Sequence, residues 1–378
     1  MSQDKKTILI VAGEASGDLH GAYLAQALKK LNPEIKLCGA GGSLMQNSEV
    51  EIYYNFVDLA VVGFWEVLKN LRKFKTIFKF LSQKLDEIHP DAVILIDYPG
   101  FNLRFAREVK KRNIKLIYYI GPQIWAWGGK RIKLIKNLVD KMIVIFKFEE
   151  GLYKAHGIDV TFVGHPLLDI VKPSSTKTEL LKKYALSPNK KTIALLPGSR
   201  EVEVERHLPL MLKTAQLIAK KNPAVQFVVS QAPNLSEDFF SSLLSSFQLP
   251  ASSFKNSYDC LELADFVLVA SGTATLETAI LEKPMAIIYK TSFLTWLIAK
   301  PQIKIPYIGL VNVVAGEKIV PEFIQYGACP RRIAQKVLDL LGNPRKQEEI
   351  GENLRKVREK LGQPGAADRA AKTILSLL

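Results

Sequence analysis

The sequence predicts two doubly wound α/β domains facing one another across a cleft. Short apolar runs alternate with longer amphipathic stretches, the pattern of βαβ units around a parallel sheet. The series runs twice, restarting after a Pro-, Ser-, Thr- and Lys-rich stretch at Lys172–Thr178 that reads as a linker. The length of 378 residues suits two domains better than one, at roughly 100–200 residues each.

In the first series, Thr7–Ala12 reads as a buried strand and Leu19–Leu31 has helical periodicity. Lys36–Gly39, Ala92–Ile96, Lys115–Ile120, Lys141–Phe146 and Val160–Val163 are the further strands. The second series offers Thr192–Leu196, Gln226–Val229, Phe266–Ala270 and Ala286–Tyr289, with helices between and a helical tail from Arg331 to Leu378. The expected domains are 1–170 and 171–349, with the helices of about 350–378 free to pack back on the first. In such sheets the ligand belongs at the carboxyl ends of the strands.

A hydrophobic share of 48% and a charged share of 24% are those of a globular protein. The net charge of +15 calls for an anionic partner: nucleic acid, an anionic membrane or a phosphorylated substrate. Cys38, Cys260 and Cys329 are far apart, which argues against a disulfide framework or zinc site and fits a reducing compartment. The polar start leads straight into a strand, and no apolar run reaches about 18 residues, so a cytoplasmic location with peripheral membrane contact is expected.

The chemistry-bearing motifs sit after strands. Gly13-Glu14-Ala15-Ser16-Gly17-Asp18 joins the first strand to a helix whose N-terminus favours an anion, although Asp18 could equally cap an ordinary turn. Gly39-Ala40-Gly41-Gly42 is a second tight loop. In Ile96-Asp97-Tyr98-Pro99-Gly100-Phe101-Asn102 a carboxylate ends a buried strand, as a general base on a sugar hydroxyl or as an acceptor for its own turn amides. Trp125 and Trp127 are read as core packing rather than a sugar platform.

In the second series Leu196-Pro197-Gly198-Ser199-Arg200 places a guanidinium fork where it can take a diphosphate. Glu201, Glu203 and Glu205 suit a helix start or a solvated face. Ser271-Gly272-Thr273 opens another helix, and Glu277 lies one turn on, able to accept two ribose hydroxyls; a capped core helix would look the same. No D-x-D occurs and the histidines have no ligand spacing, so a reaction without metal or cofactor is expected, with Arg and helix starts meeting the leaving diphosphate.

Phe64 to Leu85 has apolar residues at Phe64, Val67, Leu68, Leu71, Phe74, Ile77, Phe78, Leu81 and Leu85, accompanied by Lys69, Arg72, Lys73, Lys75, Lys79 and Lys84. This is the pattern of a basic amphipathic helix on an anionic membrane, with Phe64, Val67, Leu68, Leu71, Phe74 and Phe78 as contacts. The alternative is a core-facing helix with solvated lysines.

These segments together resemble the lipid-A-disaccharide synthase family, from Ile8 to about Gln325. VAGEASGD, IDYPGFN, the P-x-x-WAW segment, LLPGSR, ASGTATLE, and Gly309-Leu310-Val311-Asn312 leading to Pro321-Glu322-Phe323-Ile324-Gln325 carry the resemblance by their order and spacing. It implies two Rossmann-like domains of glycosyltransferase-B type and an inverting transfer from UDP-2,3-diacylglucosamine to 2,3-diacylglucosamine 1-phosphate. The implied product is a β-1,6-linked disaccharide with release of UDP, made at the inner membrane's cytoplasmic face; a homodimer is compatible. Asp97 matches the family's proposed general base, and Arg200, Glu277 and Asn312 match its nucleotide-site positions, beside the Ser271-Gly272-Thr273 loop read above as part of the nucleotide-sugar site. Glu14, Ser16, Gly17 and Asp18 match its first glycine loop.

Two positions depart from the family pattern: Gly121 stands where Ser is usual, and Lys147 where Pro is usual before Phe148-Glu149. No site role is therefore given to Gly121 or Glu149. The competing readings are another UDP-sugar transferase on a lipid carrier, a UDP-sugar epimerase, and a nucleic-acid-binding module. No basic-aromatic RNA motif or helix-turn-helix signature supports the last.

Overall fold

The computed structural model describes residues 5–56, 71–126, 129, 131–245, 247, 251–292, 296–297 and 305–378. They form two compact units, Met1–Pro166 with Leu361–Leu378, and Leu167–Lys360. The chain thus passes to the second unit before the stretch expected as a linker. That stretch is tied down there: Ser174 donates from its amide and hydroxyl to Asp259 (2.7 Å each), and Thr176 caps the helix Lys177–Lys183.

The first unit is built on seven strands: β1 (Thr7–Ala12), β2 (Lys36–Gly41), β3 (Glu51–Asn55), β4 (Ala92–Ile96), β5 (Lys115–Tyr119), β6 (Lys141–Val144) and β7 (Val160–Phe162). They lie in the order β3-β2-β1-β4-β5-β6-β7, all parallel. β1 and β4 are apolar and buried almost throughout because helices cover both faces of a parallel sheet. The strand order reverses between β1 and β4, which opens a crevice at their carboxyl ends.

The C-terminal helix Ala366–Leu375 completes this unit. Its small buried face of Ala366, Ala370 and Ala371 lets it pack closely on the helix Ala15–Leu31. Arg369 fastens it, donating to the carbonyls of Val163 (2.8 Å) and Pro364 (2.7 Å). The helix Pro344–Lys360 before it belongs to the second unit.

The second unit has six parallel strands: β8 (Lys191–Leu196), β9 (Val225–Ser230), β10 (Ala251–Phe254), β11 (Phe266–Ala270), β12 (Met285–Tyr289) and β13 (Glu322–Ile324). Their order is β10-β9-β8-β11-β12-β13, with the reversal between β8 and β11. Two doubly wound units of the expected class are therefore present.

The basic amphipathic segment needs correction. Its described part is the helix Leu71–Ile88, where Ile77, Leu81 and Leu85 are fully buried. Phe74 packs against Phe56 and Tyr98 (ring centroids 6.2 and 6.5 Å), and Phe78 against Phe101 and Phe105 (5.9 and 6.0 Å). Both rings thus pack, partly buried, against the core cluster of the first unit, so the helix turns its apolar face to the core and not to a membrane. Lys73, Lys75 and Lys79 are exposed on the other side. Phe64, Val67, Leu68 and the side chain of Leu71 lie outside the described residues. No helix among the described residues is long and apolar enough to cross a membrane.

This core-facing role has a direct test. Leu81→Ala should lower unfolding free energy by about 2–5 kcal/mol in urea denaturation, as for other buried leucines. Lys79→Ala on the exposed side should change it by less than about 0.5 kcal/mol.

Candidate functional site

In the first unit the two loops at the strand reversal meet. A Cβ added at Gly13, after β1, would come within 2.3 Å of the Tyr98 ring after β4, so only glycine allows this approach. On the other side of the reversal, Asp97 and Tyr98 both adopt left-handed backbone, φ 46° and 44°. Each costs about 1–3 kcal/mol for a non-glycine residue. The surroundings hold them there: the Asp97 carbonyl accepts from Tyr118 Oη (2.6 Å) and Asn102 Nδ2 (2.7 Å). Asn102 also reaches the Ile96 carbonyl (3.0 Å), and the Asp97 amide donates to Ile120 O (3.2 Å). Asn102 closes the IDYPGFN motif for this reason.

Asp97 is therefore presented on a strained, over-determined turn. Burial, with the nearby charge of Glu14, pushes its carboxyl up to about 6. Two acids from opposite sides of the reversal thus share one neighbourhood, and the Tyr98 hydroxyl is raised by burial and Glu14 as well.

The rest of the first glycine loop divides. Ser16 is exposed and Glu14 half-buried, while Gly17 is buried against Ala12. Asp18 is 3% exposed and spent on structure. Its carboxylate accepts from the amides of Gly42 (2.7 Å), Leu44 (3.0 Å) and Met45 (3.1 Å). Amide bonds to a charged group contribute about 1.5–3 kcal/mol each, so Asp18 caps the short helix Ser43–Asn47 instead of serving a ligand. It caps a helix other than its own, which explains the Gly39–Gly42 loop too.

Trp125 is hydrogen-bonded, Nε1 to Glu149 Oε1 at 3.0 Å, and lies edge-on to Phe146 and Phe148. Glu149, set aside in the sequence, is 2% exposed, and burial pushes it up to about 7. Trp127 lies outside the described residues. A Cβ at Gly121 would meet Met142 Cε at 2.5 Å and Tyr153 Oη at 3.1 Å, so this chain's packing excludes a serine there without rearrangement. His20 and His165 were also passed over, for lack of ligand spacing. Burial pulls them down to about 4 and about 3, so both imidazoles are neutral.

In the second unit the loops after β8 and β11 again flank the reversal. Gly198 has φ 126°, and the turn is held by Glu203 Oε2, which accepts from the Ser199 amide (3.2 Å). Arg200 stands at the N-cap position of the helix Glu201–Lys221; its side chain is 72% exposed, 3.7 Å from Glu203. Exposed ion pairs of this kind contribute about 0–1 kcal/mol, so the Glu203 contact would cost a phosphate little to displace. Ser271 Oγ donates to Ile308 O (3.0 Å). Gly272 has φ 146°, with no atom within 4 Å of an added Cβ, and Thr273 stands at the N-cap position of the helix Ala274–Ile280 without a side-chain cap bond. Glu277 receives Tyr258 Oη at 3.5 Å, and burial pushes it up to about 7.

Asn312, expected at the nucleotide site, is instead spent on structure. An amide side chain has two donors and two acceptor lone pairs, and all four are filled. Nδ2 donates to Val320 O (3.0 Å) and Glu322 Oε1 (2.9 Å), while Oδ1 accepts from the amides of Ile319 (3.0 Å) and Val320 (3.1 Å). It has nothing left for a nucleotide. Glu322, given no role in the sequence, takes the amides of Ile308 (3.1 Å) and Gly309 (2.9 Å). Asn312 and Glu322 together thus hold the strand-end loop whose Ile308 carbonyl receives Ser271.

The family described as Lipid-A-disaccharide synthetase matches residues 8–375. A lipid-A-disaccharide synthase of Syntrophus aciditrophicus is 46% identical over 377 residues, covering 99% of this chain and 98% of the relative. The fold is shared with UDP-GlcNAc 2-epimerase from Neisseria meningitidis bound to UDP-GlcNAc (TM-score 0.62, 16% identity, 98% and 100% of the two chains). It is shared too with the calicheamicin glycosyltransferase CalG4 (TM-score 0.63, 13% identity, 99% and 98%).

The bracing role of Asn312 predicts that Asn312→Ala costs about 2–4 kcal/mol in urea denaturation, from two orphaned amides. An unchanged midpoint would contradict it.

Proposed function

The chain belongs to the lipid-A-disaccharide synthase family, and from that premise we propose the reaction its two loop pairs carry out. The donor is UDP-2,3-diacylglucosamine and the acceptor 2,3-diacylglucosamine 1-phosphate; the products are the β-1,6-linked disaccharide phosphate and UDP. Asp97 takes the proton from the acceptor's 6-hydroxyl as that oxygen bonds to the donor's anomeric carbon. The bond from that carbon to UDP breaks on the opposite face, so the configuration inverts in one displacement. Arg200 and the Ser271–Thr273 loop meet the charge that develops on the leaving diphosphate. Glu277 takes the ribose hydroxyls.

The observation that carries this reading is Asp97. A carboxylate near pKa 6 is a much better base than an ordinary aspartate, yet largely ionised at neutral pH. Its strained turn is the kind of cost that persists where function requires it.

The acyl chains of both substrates demand a lipid surface. The protein works peripherally at the cytoplasmic face of the inner membrane, a reading supported by the charge of +15 and the exposed Lys73, Lys75 and Lys79. Cosedimentation with anionic vesicles that weakens with salt is the expected result; equal binding to neutral vesicles would oppose it.

Mixing the protein with donor and acceptor should yield UDP and disaccharide in equal amounts. Asp97→Asn should reduce turnover by roughly 10²–10⁴-fold with UDP affinity kept; a folded variant with near-normal turnover removes the base assignment. The carboxylate is the active form, and burial and Glu14 both favour the protonated form. The rate should therefore rise with pH through about 6 and then level. Glu14→Gln should move that inflection to lower pH, since it removes one of the two causes that raise Asp97.

A further inference from the structure

Three strands of the second sheet, β8, β11 and β12, are consecutive neighbours. Their carboxyl-end loops therefore stand side by side, about 4.8 Å per strand step. The first carries Arg200, the middle one Gly272, and the third begins with Lys290, directly after Tyr289. The middle loop is open above its backbone, since a Cβ on Gly272 would meet nothing within 4 Å. Lys290 is exposed and forms no ion pair with the described acids. The loops that carry Arg200 and Lys290 thus lie on either side of the loop with the open glycine.

Their spacing is set by one imidazole. His207, on the helix Glu201–Lys221, is 3% exposed. Its Nδ1 lies 2.9 Å from the Pro197 carbonyl, and its Nε2 accepts from the Lys290 amide at 3.1 Å. Because Nε2 accepts an amide hydrogen, the ring proton is on Nδ1 and is donated to Pro197. Burial lowers the imidazole's pKa and so favours this neutral form. The ring joins the loop that carries Arg200 to the residue that carries the second ammonium.

We propose that Lys290 is a second diphosphate-binding residue beside Arg200, and that His207 is the positioning residue that fixes the two loops relative to each other. This rests on the reading of the second unit as the UDP-sugar site. Two cations on either side of a diphosphate neutralise charge that a single guanidinium would leave exposed as the sugar departs. The compact ammonium of Lys290 acts as a point charge, complementing the bidentate fork of Arg200.

The test is titration calorimetry with UDP and with uridine on the full chain. Lys290→Gln should weaken UDP about 10–100-fold, the loss of one charge-assisted contact, with uridine changed by less than about twofold. Lys290→Arg should restore UDP to within about threefold of wild type. Lys290→Gln should lower kcat as well as raise KM for the donor, because the charge grows in the transition state. Unchanged UDP affinity in Lys290→Gln overturns the proposal, and so does an equal loss for UDP and uridine, which would mark a structural role. Wild type that binds neither probe would instead remove the nucleotide-sugar reading itself. His207→Gln combined with Lys290→Gln should weaken UDP no more than His207→Gln alone. Additive losses overturn the positioning role of His207.

Discussion

In each unit a parallel sheet reverses its strand order once, between β1 and β4 and between β8 and β11. Crossover connections on the two sides of that reversal run to opposite faces, so the loops beside it part and leave backbone uncovered by a helix. The residues given a chemical role here stand on or beside those loops. Gly13 and Tyr98 are pressed together across the first reversal, which fixes the place from which Asp97 is presented. In the second, His207 ties the β8 loop to the end of β12, around the open Gly272.

The buried strands were legible because a strand covered on both faces must be apolar throughout. Thr7–Ala12, Ala92–Ile96 and Phe266–Ala270 have the bounds expected. The strands missed, β3, β10 and β13, are all at sheet edges. One side of an edge strand meets solvent, so EIYYN, ASSF and EFI carry no apolar run and mostly half-buried positions. The helix Leu71–Ile88 was misread for a related reason. Its lysines are as expected for a membrane helix, but amphipathicity names an apolar face without saying what covers it; here Phe56, Tyr98, Phe101 and Phe105 do.

At the candidate site, sequence located loops better than it located roles. Asp18 and Asn312 sit within motifs that carry the family resemblance, yet their polar atoms are engaged by backbone groups and, for Asn312, by the Glu322 carboxylate as well. A polar residue in a motif can bind the ligand or hold the loop that does, and residue type alone does not distinguish the two. Hydrogen-bond accounting does, because a side chain with every donor and acceptor filled has none to offer. The structural roles of Glu149, Glu322 and His207 are hidden from sequence for the converse reason. Their partners, Trp125, the Ile308–Gly309 amides, and Pro197 with Lys290, are distant in sequence and adjacent only in the fold.

The central claim is a division of labour: the nucleotide belongs to the second unit's reversal, and the proton transfer to the first. Amide hydrogen exchange of the full chain with and without UDP tests it directly. Slowed exchange at residues 197–200, 271–277 and 290, with 13–18 and 97–102 unchanged, is the result the account predicts. Protection by UDP centred on 13–18 and 97–102 would contradict it.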